Sequence, residues 1–158
     1  MTAAILHRLV LAGTAILAMS VTAPALGQDR MVLGPRQFEQ DKSGAGAVLC
    51  SWALYLSIQA QTAACGLSRR PTDDAIDQAI AAIDEFILAN SSLHPTRAAL
   101  DTFKREATAS DRERASRETQ FCTRPDLERF RSINPERIQA GVKALLAVPR
   151  EPIMNPCL

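Results

Sequence analysis

Four cysteines, at positions 50, 65, 122 and 157, constrain this chain of 158 residues more than any other feature. The first two lie inside a stretch without a single charged residue, Ser43 to Ser68. If that stretch is one continuous helix, Cys50 and Cys65 stand about 22 Å apart along its axis, whereas bridged alpha carbons stand roughly 6 Å apart. They cannot pair with each other, so each takes Cys122 or Cys157. An even cysteine count in an exported chain reads as two disulfides, and with no CxxC among the four, a redox dithiol or a zinc knuckle finds no support. Bridges that close loops this long are worth about 4 kcal/mol each in the chain-entropy model, a large share of a small domain's stability.

The evidence for export lies at the N-terminus. Residues 1–27 carry one charge, Arg8, followed by the uncharged run Leu9 to Met19 and the small-residue segment Ser20 to Gly27. This is the order of a secretory signal peptide, cleaved after Ala25 or after Gly27. The apolar run is too short to span a bilayer, which takes about 20 residues. The stretch from Ser43 to Ser68 is long enough, but Ser51, Ser57, Gln59, Gln61 and Thr62 interrupt it, and the two glutamines fall on different helical faces. It reads as the central buried helix of a bundle, so no stable membrane insertion is expected once the leader is gone.

The mature chain divides into an N-terminal arm, 28–43, and a single helical domain, 44–158. Helix one is expected from Ala45 to Ala64, closing at Gly66 with a left-handed cap. Helix two has Thr72 as its expected cap, Asp73, Asp74 and Asp77 near the positive end of its dipole, and Ile76, Ile80, Ile83 and Ile87 in one stripe. It ends near Asn90. Helix three starts around His94-Pro95 and carries Leu100, Phe103 and Ala107; Ser110 followed by Glu113 offers a capping box, so one rod and two are both consistent with the pattern. A short turn of helix follows Pro125. Helix four is capped by Asn134, opens with Pro135, sets Ile138, Val142 and Leu145 in register and stops at Pro149, after which the tail forms an extended strap. The fold class is all-α: a small disulfide-stapled bundle of four to five helices. Following chain direction through such a bundle places Cys122 near Cys65 and Cys157 near Cys50, the favoured pairs.

The residues that usually announce catalysis are scarce. Outside the leader the chain has one histidine, His94, set before a proline at a helix start, and no HExxH, GxSxG or phosphate-binding glycine loop. No catalytic residue, metal site or cofactor is therefore assigned. Asp84 with Glu85, or Asp73 with Asp77, are the only carboxylate pairs to consider, and the first-turn aspartates already serve the helix dipole. With 18 Lys and Arg against 17 Asp and Glu, and Arg8 in the leader, the mature chain is neutral, which argues against a nucleic-acid partner.

Two surfaces remain as candidates. The run from Lys104 to Arg131 is dense in both charges, and Arg112, Arg114 and Arg117 within it make a candidate partner surface, since guanidinium forks recognise carboxylates and phosphates. Trp52 and Tyr55, three apart on helix one, make a candidate groove, with core packing as the competing role. The leader, the richness in Ala and Arg and the paired cysteines resemble small exported proteins of GC-rich Gram-negative bacteria. The expected function is an exported binding or interaction module of the bacterial envelope, periplasmic or secreted, with an envelope protein as partner. A stress-protective or structural periplasmic protein is the alternative, and a carboxylate-based enzyme is a less favoured one.

Overall fold

α1, Val48–Ala64, begins without a side-chain cap because the C-terminal strap supplies one: the Leu49 N–H donates to the carbonyl of Ile153 at 3.0 Å. It ends on Gly66 at φ +60°, where Gly66 N–H reaches the Ala63 carbonyl at 3.1 Å and Leu67 N–H the Thr62 carbonyl at 3.1 Å. This paired closure is the Schellman arrangement expected of a glycine just past a helix end. The computed structural model describes residue 36 and residues 38–157; the leader and most of the arm lie outside the described residues.

α2, Pro71–Asn90, starts two residues earlier than a cap at Thr72 would place it. Pro71 takes the first helical position, and Asp73 accepts the Arg70 N–H at 2.8 Å. Thr72 is therefore not the cap; its hydroxyl donates to the Ile133 carbonyl at 2.9 Å and ties the helix start to the chain beyond α5. Ile76, Ile80, Ile83 and Ile87 are all buried, and α2 packs against both α1 and α6. Each such side chain contributes roughly 1.5–3 kcal/mol by leaving water.

Helix three resolves into two. α3, Arg97–Ala107, is capped by the Thr96 hydroxyl, which accepts the Ala99 N–H at 3.1 Å, so it starts later than His94-Pro95; His94 itself adopts φ 47° in the preceding turn. The break falls at Thr108, whose hydroxyl donates to the Lys104 carbonyl at 2.8 Å. α4, Ala109–Arg117, follows at once, with Ser110 inside its first turn rather than at its cap. A 3-10 turn, Thr119–Thr123, leads to α5, Pro125–Arg131, and then to α6, Pro135–Leu145, with Asn134 accepting the Glu136 N–H at 2.8 Å. α6 stops short of Pro149. If α3 and α4 are counted as one broken rod, the bundle has five helical elements, and it is all-α among the described residues.

The strap crosses back over the start of α1. Asp41 N–H donates to the Asn155 carbonyl at 2.8 Å, and Arg150 donates to Asp41 at 2.8 Å, to the Leu145 carbonyl at 2.9 Å and to the Gly46 carbonyl at 2.6 Å. Burial pushes the Asp41 carboxyl up, but its bonds from Ser43 and Arg150 outweigh that and hold it below the usual range. Cys50 is joined to Cys157 and Cys65 to Cys122, so the two bridges fix opposite ends of α1 to the later half of the chain. Among the described residues no helix is long and apolar enough to cross a membrane.

Candidate binding site

α4 is the unusual element. Its sequence, ASDRERASR, buries no side chain, and nine residues are too few to hold a helix in water unaided. It is fixed from outside. At its start Arg112 donates to the Thr108 hydroxyl and to the Arg105 carbonyl, closing the end of α3. In its first turn Asp111 accepts the Ser57 hydroxyl of α1 at 2.8 Å. Beyond its end the Cys65–Cys122 bridge ties the 3-10 turn to the end of α1, and Phe121 beside that cysteine is buried under Arg114 and Arg124, which lie 5.4 and 5.8 Å from its ring centre.

Pinned along α1, α4 leaves a cleft on each side. One, of about 480 Å³, lies between the later part of α1, the first turns of α2 and the α3–α4 junction, and Arg112 and Thr108 stand on its wall. The other, of about 340 Å³, lies between α1, α4 and α5, and Arg114 stands on its wall. Two residues apart on a helix, Arg112 and Arg114 point to nearly opposite sides, which is why they serve different clefts.

The three arginines therefore do not make one patch. Arg112 faces the α2 side, Arg114 lies over Phe121 with Asp111 at 3.6 Å, and Arg117 pairs with Glu113 at 2.7 Å along the helix. Both ends of the run from Lys104 to Arg131 are held in ion pairs, Lys104 half-buried and Arg131 buried. Arg131, 3% exposed, donates to Asp73 at 3.1 and 2.8 Å, and this bond more than offsets burial, holding the Asp73 carboxyl below the usual carboxylate range. Lys104 donates to Asp84 at 2.5 Å and pairs with Asp101 at 2.8 Å; burial lowers its pKa, but the two carboxylates raise it by more.

Trp52 is core. It is 2% exposed, stacks on Phe103 with ring centres 5.6 Å apart and donates its indole N–H to Asp84 at 2.9 Å, so the groove envisaged at Trp52 and Tyr55 is filled on the tryptophan side by protein. Tyr55 is half-buried against the core, and burial raises its phenol pKa. The carboxylate pairs also separate: Asp84 is buried on Trp52 and Lys104 while Glu85 is exposed with Arg97, and Asp73 serves Arg131 while Asp77 accepts Gln59 at 2.7 Å and Arg69 at 2.7 Å.

Sequence reasoning missed Asp84 as a core group, although it falls four residues after Ile80 and three before Ile87, within the buried stripe. It also missed Thr62. Its Oγ1, in a residue on the wall of the 480 Å³ cleft, is the one buried side-chain polar atom among the described residues without a hydrogen-bond partner. No family model matches the chain, and no curated protein or solved structure matches it at a significant level.

Proposed function

We propose that the chain is an exported, disulfide-locked binding module of the bacterial envelope, and that α4 with its flanking clefts is the face that meets the partner. The leader pattern, the two disulfides and the lack of a membrane-spanning helix among the described residues support a periplasmic or secreted setting. One observation carries the reading: a polar helix with no fully buried residue is pinned to α1 by the Ser57–Asp111 bond and by the disulfide in the turn that follows it, beside a core it does not help to build. Holding such a surface in one shape reduces the ordering cost of association, a benefit to binding beyond what the bridge contributes to folding. The role is recognition, not catalysis. Affinity capture from envelope extract tests it, with Arg114→Glu/Arg117→Glu as the comparison and Arg112 left intact because it closes α3. A specific partner held by the native protein and lost by the variant supports the reading; no partner at any ionic strength overturns it.

A second reading, a protective protein loosened by acid, is favoured by the buried Asp73–Arg131 and Asp41–Arg150 pairs, which hold α5 and the strap. Protonating those carboxylates would release both. Binding of an apolar dye at pH 3 but not at pH 7, together with suppressed aggregation of an unfolded client at pH 3, would move the assignment to this class.

A further inference from the structure

We infer that the cleft between α1, α2 and the α3–α4 junction is a site for a small monocarboxylate with an apolar body, its carboxylate on Arg112. The inference rests on the binding-module reading and names a ligand class for one of its two clefts.

The charges around this cleft are unequally matched. Asp77 accepts from both Gln59 and Arg69, and Asp73 is taken by Arg131. Arg112 is different. It donates only to two neutral oxygens, the Thr108 hydroxyl and the Arg105 carbonyl, and no carboxylate oxygen lies within 4.0 Å of its guanidinium among the described residues. A guanidinium already oriented by two hydrogen bonds, with donors to spare, is a preorganised seat for a carboxylate. A single unmatched cation calls for a single negative charge.

Between these polar groups the lining has an apolar part. Ala60, Ala63, Leu67 and Ile76 supply it, and the volume of about 480 Å³ is within the size of small-molecule sites. Thr62 adds the second observation. Its residue is 8% exposed and its oxygen, buried just beneath the wall, has no partner, so the protein leaves a hydrogen-bonding group unused there. Threonine in a helix uses two χ1 wells, and turning between them lets this hydroxyl serve as a second donor to the ligand.

Calorimetric titration of the disulfide-bonded protein with octanoate and phenylacetate tests the inference, with octan-1-ol and octylamine as the uncharged and cationic counterparts. At least one carboxylate is expected to bind saturably, at least tenfold tighter than the alcohol or the amine. Arg112→Gln is expected to weaken it at least tenfold and Arg112→Lys to restore part of the loss. Ala63→Trp, at an exposed position on the lining, fills the cleft and is expected to abolish binding while the melting temperature holds; it keeps the test decisive if Arg112→Gln fails to fold. Arg137→Gln, at an exposed arginine of α6 away from the cleft, should leave the titration unchanged. No saturable carboxylate binding, equal binding of the alcohol, or binding unaffected by Ala63→Trp overturns the inference. If envelope capture through Arg114 and Arg117 survives while the titration fails, the cleft assignment falls and the binding module stands.

Discussion

α2 and α4 are both helices packed beside α1, yet they are held by different physics. α2 buries ten of its 20 residues, including four isoleucines and the aspartate that receives Trp52 and Lys104. α4 buries none of its nine and depends on a hydroxyl–carboxylate bond, an arginine closing the neighbouring helix and a disulfide. The apolar core thus sets the fold, while covalent and polar pins set the shape of an outer layer that the core does not require. Apolar packing in α2 and pinned order in α4 are separable in this molecule, and substitutions should separate them.

The largest effect is expected from opening the pin. Cys65→Ala/Cys122→Ala removes a bridge with a sequence separation of 57. It should cost about 4 kcal/mol in the chain-entropy model, measured by urea unfolding. A loss under about 1 kcal/mol would mean that α4 and the 3-10 turn hold themselves in place. Next in size is Ile83→Ala, at a side chain with 0% exposure, which should cost about 3 kcal/mol through lost burial and the cavity left behind. The matched change Glu113→Ala in α4 should stay within about 0.5 kcal/mol, since Glu113 pairs only with an exposed arginine. Comparable losses at the two sites would erase the contrast between the helices.

The α2 pattern was legible because one stripe of isoleucines and one set of first-turn aspartates agree on the same helix. Gly66, Asn134-Pro135 and the cysteine spacing were legible for a similar reason: each is a local signal or a length, and needs no knowledge of partners. The break at Thr108 was not. It depends on Thr108 bonding back to Lys104 and on Arg112 reaching Arg105, a competition between side-chain bonds and a continuous ladder that composition does not rank. The roles of Lys104 and Arg131 within the charged run were not legible, because distant partners decide burial: Asp73 lies 58 positions before Arg131, and Asp84 lies 20 before Lys104. Asp84 itself left a usable signal, a carboxylate inside a buried stripe of a chain whose one tryptophan needs an acceptor.

Acid should act on the core's polar joints before it acts on the apolar stripe. Asp73 and Asp41 titrate below the usual carboxylate range when folded, so the unfolded chain takes up protons first as pH falls. Their contribution is present above the unfolded value of about 3.9 and is lost as pH drops through the lower folded values. The urea midpoint should be level from pH 7 to about pH 5 and fall steeply below about pH 4. Asp73→Asn should flatten that fall; an unchanged profile would assign it to other carboxylates. One small effect has the opposite sign. Thr62→Val removes a buried hydroxyl without a partner and should raise stability by up to about 1 kcal/mol, read from the same urea curves. A clear loss would show that the hydroxyl is satisfied in solution.

The separation of core from pinned surface is tested most directly by amide hydrogen exchange on the native protein and on Cys65→Ala/Cys122→Ala, both under strongly native conditions. Amides of α4, 109–117, should exchange much faster in the variant, approaching unprotected rates, while those of α2 around Ile80 to Ile87 keep a protection that falls only by the global loss of stability. Protection lost by the same factor in α2 and α4, or retained in α4 without the bridge, would contradict it.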